Sequence, residues 1–527
     1  LVEVLGHSIQ KLALWAGPLV FIAVLFYWAM GNLLALGFEQ DWLAILSDSY
    51  LLNIVFFTIW QALLSTLLCL VFGLPGAYLL YRKKIVARKF MRALVSVPFV
   101  LPTIVVAISL ESYRQLFPGF PLIIIFIAHL FLNYSIVVKT VGGIWANLDF
   151  NLEKAAALDG ANRWQIFLRI TLPQLRPAIA SACTLVFLYC VTSFGVILLL
   201  GAGRITSIET EIYFSLTEFL DFKTAASLSV IQTLITFLMF LISNRLGSAV
   251  AGVANVVDSG PGERLSRREW PVVAITLVFV GAVIVFPISQ MFLEAFVFDG
   301  ALSLVNFANL TGLGSRQVLN ISVIEAALNS MRNIVISAGL AMVIGTLVSW
   351  LLTRTRSAFV ELLFIMPIGV SSVALGFGYL ISFGGGPLPL RSSWLVVPLI
   401  QALLATPVVI RMVHPALLAL GLRYREAATT AGATDWQVWR FIEMPLISDV
   451  LRSALVYAAL ISVGEFGAAA LLSSGDEVTL PVVLYQLISR PGAENYGMAM
   501  AASALIMLLV FAISMTTDLA RKRRRSY

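Results

Sequence analysis

One acidic residue lies inside an otherwise apolar stretch: Glu465, in Ser462-Val463-Gly464-Glu465-Phe466-Gly467. An ionisable group within a run of membrane length is costly to keep there and reads by default as functional. Facing a pathway, its carboxylate suits a cationic solute, on which Phe466 or Phe194 could stack. Bonding to a neighbouring helix is the competing use of the same group. The matching segment elsewhere in the chain, Ser193-Phe194-Gly195, carries serine at the acidic position. Other reactive groupings are lacking. His7, His129 and His414 are scattered, and metal ligands need company, so His129 and His414 read as helix-contact residues. Cys69, Cys183 and Cys190 lie in apolar runs without metal spacing. No Gly-x4-Gly-Lys-Ser/Thr phosphate loop occurs, so no nucleotide or other cofactor is expected on this chain.

Two polar loops form a second constellation. Lys154-Ala155-Ala156-x3-Gly160-Ala161 and Glu426-Ala427-Ala428-x3-Gly432-Ala433 share one register (432 − 160 = 272). The same offset pairs Trp164-Gln165 with Trp436-Gln437, Ile170 with Ile442, and Pro173 with Pro445. It also pairs Phe194-Gly195 with Phe466-Gly467, Tyr213 with Tyr485, Gly73 with Gly345, and Arg82 with Arg354. In each loop an Ala-rich stretch favours helix. Gly160 or Gly432 then permits a turn that a side chain would obstruct. A second short helix follows, with Trp164, Phe167 and Ile170 on roughly one face, or Trp436 and Trp439 in the other copy. Pro173 and Pro445 are expected to end it before the next span. The product is a bent helical pair with exposed aromatics, which want a partner. Resting the tryptophans among lipid headgroups is the alternative; two copies in register favour docking.

The elements that must carry these residues are membrane helices. The 527 residues are 60% hydrophobic and 12% charged, against roughly 25% charged in a soluble domain. Apolar runs are expected to span near 12–36, 52–80, 94–116, 121–145, 177–200, 225–247, 271–297, 333–353, 359–382, 394–417, 450–472 and 498–518. Leu12–Leu36 is too long and apolar for a signal-peptide core and reads as a span. The loops alternate in sign. Arg82 to Arg92, Lys154 to Arg176, Arg245 to Arg268, Arg354 with Arg356, and Arg521–Arg525 are basic, whereas Glu39 to Asp48, Glu209 to Asp221 and Asp476 to Glu494 are acidic. Basic loops face the cytoplasm, which places both termini there. The net charge of +7 is distributed in this way and not as a nucleic-acid-binding face.

The expected fold class is an all-α integral membrane protein of about twelve transmembrane helices in two parallel six-helix repeats. Both repeats have the same orientation, implying a pseudo-two-fold axis along the membrane normal. The first covers 1–247, with its loop at about 147–176, and the second 271–527, with its loop at about 420–449. A polar linker, 248–270, with Gly260-Pro261-Gly262, joins them on the cytoplasmic side.

The loop pattern Glu-Ala-Ala-x3-Gly-x9-Ile-x-Leu-Pro resembles the signature of binding-protein-dependent ABC importer permeases. Glu426, Ala427, Ala428, Gly432, Ile442 and Pro445 match it, with Met444 for Leu. Ala155, Ala156, Gly160, Ile170, Leu172 and Pro173 match in the first copy, where Lys154 takes the Glu position and Glu153 stands one residue early. At this position the first loop departs from the pattern, so the resemblance leaves open whether both loops make the same ionic contact with the partner. The resemblance implies a type I importer permease fold, with each loop a coupling helix seated in a cleft of a separate ATPase subunit. It implies two ATPase copies, which hold ATP and magnesium, and an extracytoplasmic solute-binding protein. It also implies a bacterial inner-membrane location and no catalysis by this chain. Two units in one chain look like the fused permeases of ferric-iron and thiamine importers. Ser47-Asp48-Ser49-Tyr50, Thr479-Leu480-Pro481 and Leu484-Tyr485-Gln486 lean towards thiamine. An ion-coupled secondary transporter also uses twelve helices in parallel halves, but it leaves the Gly–Trp–Pro loops unexplained. A membrane-embedded enzyme would need convergent His, Asp or Glu residues that the spans do not supply.

Overall fold

The computed structural model describes residues 14–40, 42–251, 263–355, 357–384, 393–473 and 475–524. The linker assigned to 248–270 lies outside the described residues over 252–262, as do His7, Asp41 and Arg356. Among the described residues, nine helices are long and apolar enough to cross a membrane. Two further pairs qualify as bent spans: Ala358–Gly369 with Ser372–Phe383, bent by 99°, and Asp435–Leu446 with Ser448–Gly464, bent by 76°. The count is therefore nine, or eleven with the bent pairs, instead of about twelve. The remaining expected span, 94–116, breaks into Arg88–Ser96, Pro98–Val100, Thr103–Ser109 and Ser112–Leu116. Pro98 and Pro102 each remove a backbone donor and bias the preceding residue away from helix.

The chain packs as two compact units that do not coincide with the consecutive sequence repeats. One comprises Leu43–Glu211 and Leu234–Ser303; the other comprises Leu1–Trp42, Ile212–Thr233 and Leu304–Tyr527. Each unit thus takes the first long helix of the other repeat.

In the unit built on Leu43–Glu211, helices Ser49–Arg82, Pro121–Asn147 and Arg163–Val191 pack mutually. Asp48 caps the first of these by accepting from the Tyr50 and Leu51 N–H groups at 2.8 and 3.3 Å. Gly73 lets two helices close: a Cβ there would stand 2.6 Å from Val137 Cγ1. The Arg163–Val191 helix ends at Thr192, and Phe194–Leu200 restarts it. Gln61 reaches across to this break and donates to the Cys190 carbonyl at 2.9 Å. His129 links three segments, with Nδ1 2.8 Å from Ser65 Oγ and Nε2 3.0 Å from Ser193 Oγ. Helix Arg267–Ala295 joins this unit through stacked Phe72 and Phe279, whose centroids are 4.8 Å apart. Glu269 accepts from Tyr78 at 2.6 Å and pairs with Lys83 at 3.0 Å.

In the other unit the corresponding trio is Val323–Thr355, Val396–Ala419 and Ser448–Gly464. Ala338, Ala341, Ala405, Val409, Ala454 and Ala458 form its core. Small side chains allow the backbones to approach, because in lipid dispersion packing replaces the hydrophobic drive between helices. Gly345 repeats the role of Gly73: its Cβ would meet Val409 at 2.7 Å. The Ser448–Gly464 helix breaks at Glu465, and here Gln401 donates to the Ser462 carbonyl at 3.1 Å. The carbonyls of Cys190 and Ser462 are equivalent in the 272-residue register, yet they are served from different helices. Gln61 lies on the first helix of its trio and Gln401 on the second. Helix Leu14–Glu39 packs on Ser372–Phe383, where Asn32 donates to Ser382 at 2.9 Å.

The Gly345 contact makes a direct prediction. Gly345→Ala should lower the stability of the detergent-solubilised protein by about 1–3 kcal/mol, the usual cost of overpacking a tight core. Val409→Ala in the same chain should restore part of the loss, as read by thermal unfolding.

Candidate functional site

Both loops are built as expected from the residues upward, with capping devices that the sequence reading missed. In the first, Asp149 accepts from the Asn151 N–H at 2.8 Å and starts helix Phe150–Leu158. That helix ends in a Schellman turn: Gly160 N–H bonds Ala157 O at 3.2 Å and Ala161 N–H bonds Ala156 O at 3.0 Å. Gly160 stands at φ +87°, a conformation that costs an L residue about 1–2 kcal/mol. Asn162 and Gln165 then form a reciprocal capping box, both bonds 2.9 Å, and launch Arg163–Ile166.

The second loop repeats the turn and the capping box, while its first helix starts at Gly421 without a side-chain cap. Helix Leu422–Thr430 ends with Gly432 at φ +85°, Gly432 N–H on Thr429 O, and Ala433 N–H on Ala428 O. Thr434 and Gln437 form the capping box of Asp435–Val438. The signal was present in Asn162-x-x-Gln165 and Thr434-x-x-Gln437, an N-cap residue followed at the third helical position by an amide.

The prolines behave differently from expectation. Pro173 does not end a helix: Arg163–Val191 runs through it. A π-helical turn, Phe167–Thr171, precedes it, so Pro173 sits in the first turn of Leu172–Val191. Widening the hydrogen-bond ladder there removes the need for the N–H that proline lacks. In the second copy the π turn, Trp439–Glu443, is followed by Met444–Leu446, and the 76° bend comes after Pro445.

The aromatic residues divide into anchors and presented groups. Trp164 is 72% exposed and Trp436 is 67% exposed, at equivalent positions. Phe167 turns inward, its ring centroid 6.1 Å from that of buried Trp145. Trp439 likewise meets Trp350 edge-on at 6.4 Å. Lys154, Ala155, Glu426 and Ala427 are exposed, whereas Ala156, Ile170, Ala428 and Ile442 are partly buried. Glu153 is turned inward: it forms an ion pair with buried Arg82 and accepts from Thr171 Oγ1 at 2.8 Å. The loop surfaces consequently present Lys154 in one copy and Glu426 in the other.

The candidate path residues occupy the helix breaks. Glu465 is buried and its two oxygens accept from the Ala468 and Ala469 N–H groups at 2.7 and 3.2 Å. It therefore caps the short helix Gly467–Leu472, and the same carboxylate also bonds the Ser372 side chain on helix Ser372–Phe383. Phe466 packs obliquely on Tyr485, with centroids 5.8 Å apart. Ser193 bonds His129, and Phe194 opens Phe194–Leu200. His414 Nδ1 lies 3.2 Å from the Glu361 carboxylate.

Comparison with known proteins agrees with the internal repeat. The family model described as "Binding-protein-dependent transport system inner membrane component" matches twice, at residues 69–252 and 341–525. The thiamine transport system permease protein of Escherichia coli strain K12 is 27% identical over 503 residues, covering 90% of this chain and 89% of that relative. The corresponding Brucella suis protein is 27% identical over 538 residues, covering 96% and 95%. The ferric transport system permease protein of Actinobacillus pleuropneumoniae is 25% identical over 381 residues, covering 70% of this chain and 54% of the relative. With both of its repeats matched in this way, the chain belongs to the family of binding-protein-dependent transport system inner membrane components, as an importer permease in which two such units are fused.

Proposed function

We propose that this chain forms the transmembrane pathway of an ATP-driven thiamine importer in the bacterial inner membrane, and that its two loops dock on two copies of a separate ATPase subunit. The observation that carries the docking is the matched construction of the loops, each ending its first helix in a Schellman turn and presenting one tryptophan outward. Exposed aromatics held on capped, rigid helices are suited to act as interface anchors. ATP and magnesium belong to the partner, and a solute-binding protein delivers the substrate from outside. The sign alternation of the loops supports an orientation with the coupling loops and both termini in the cytoplasm.

Thiamine is preferred over ferric iron because the thiamine permeases align with nearly the whole chain, while little more than half of the ferric permease is covered. Thiamine is also a cation with an aromatic ring, a class that Phe194 and Phe466 would suit. Ser193 and Glu465 contribute to the path by shaping the helix breaks; the Glu465 oxygens are occupied by backbone donors.

Trp436→Glu should weaken ATPase association about 30-fold or more, the effect of losing an interface anchor worth about 2 kcal/mol. Co-purification in mild detergent and titration of the purified ATPase measure it; unchanged association would reject the docking role. Gly432→Val should act more mildly, because its Cβ would enter open space and only the backbone is strained. In cells unable to make thiamine, the complete system should support uptake of labelled thiamine and not of labelled ferric iron; the opposite result would transfer the substrate assignment to iron.

A further inference from the structure

Each loop is tied to the second helix of its own repeat through one arginine, whose acid partners precede the turn glycine in one repeat and follow it in the other. Arg82, 2% exposed, ends helix Ser49–Arg82. It pairs with Glu153 on the first loop helix and donates to the Trp145 and Leu148 carbonyls at 3.3 and 3.5 Å. Because Glu153 also accepts from Thr171, one carboxylate joins the end of a transmembrane helix, the loop helix and the beginning of the next transmembrane helix.

Arg354 is the register equivalent of Arg82, but its acids lie on the other side of the loop. It stands 3.8 Å from Glu443 and 4.0 Å from Asp435, and Asp435 is 3.3 Å from Arg425. In the 272-residue register, Glu153 corresponds to Arg425, Arg163 to Asp435, and Thr171 to Glu443. Two of the three positions reverse charge and the third gains a carboxylate, while the arginine is kept.

We infer that Arg82 and Arg354 are positioning residues that pass loop displacement to the transmembrane helices, and that each is matched to a three-residue loop set of its own repeat. The inference rests on the coupling role proposed above. Its physical basis is that breaking a buried ion pair leaves an uncompensated charge, so the helix end and the loop move together as one piece. The charge reversal also means that the sets are interchangeable only as wholes.

The test uses the complete complex of permease, ATPase and binding protein in proteoliposomes, with thiamine as the probe. Glu153→Arg alone should keep the ATPase bound, since Trp164 remains exposed, but lower thiamine transported per ATP hydrolysed by about tenfold. The triple variant Glu153→Arg, Arg163→Asp, Thr171→Glu, which copies the second set into the first repeat, should recover most of that ratio. Should Glu153→Arg fail to fold in detergent, Glu153→Gln provides the reading, with a smaller loss of the same ratio and unchanged ATPase binding. Normal coupling in the single variant, no recovery in a folded triple variant, or loss of the ATPase from the single variant would each overturn the inference. The docking role is read separately from Trp164→Glu, which should release the ATPase whether or not the arginine transmits motion.

Discussion

Inside a bilayer every backbone N–H and C=O must find its partner within the protein, and the rest of this structure follows from that requirement. Continuous helices meet it without help. This chain interrupts several of its apolar helices, and polar side chains attend the breaks at Thr192, Val370 and Glu465. Glu465 satisfies two donors at the start of Gly467–Leu472, and Ser371 accepts from Ala374 N–H at 3.1 Å where the bent pair restarts. Gln61 and Gln401 supply donors to the carbonyls left before the breaks at Thr192 and Glu465. An unmet buried polar group costs about 1–3 kcal/mol, so these residues are needed wherever the helix stops. Glu465, which the sequence leaves as either a pathway carboxylate or a helix-bonding group, takes part in this accounting.

The two repeats show which features are geometric and which are chemical. Gly73 against Val137 and Gly345 against Val409 keep both identity and contact, because close backbone approach admits no substitute for a missing Cβ. The arginines at 82 and 354 also persist. Their partners do not: Arg82 pairs with a carboxylate on the first loop helix, whereas the carboxylates near Arg354 lie on the second, 3.8 and 4.0 Å away. The Cys190 and Ser462 carbonyls likewise receive an amide donor from different helices. Close packing restrains residue type, whereas hydrogen bonding restrains only that a donor arrives.

The loops combine both kinds of restraint. Gly160 and Gly432 supply a backbone conformation, and the capping boxes fix the start of the second helix. The bent pair points Trp164 and Trp436 outward and Phe167 and Trp439 inward, so one face is exposed and the other is packed against the end of a transmembrane helix.

The linear sequence by itself determined the membrane class, the two-fold internal repeat, the location of both loops and their turn glycines. These follow from hydropathy, from residue spacing and from local backbone preference, none of which needs distant contacts. The Asn162-x-x-Gln165 and Thr434-x-x-Gln437 caps were equally legible there. Tertiary structure alone decided that Leu14–Glu39 and Arg267–Ala295 pack with the opposite repeat, that Glu153 pairs with Arg82, and that Glu465 caps a helix. It also decided that 94–116 is broken and that Pro173 is absorbed by a π turn. An apolar run gives the same hydropathy whether it is straight or broken, and a carboxylate the same charge whichever way it points; which polar group meets which is a property of the assembled helices.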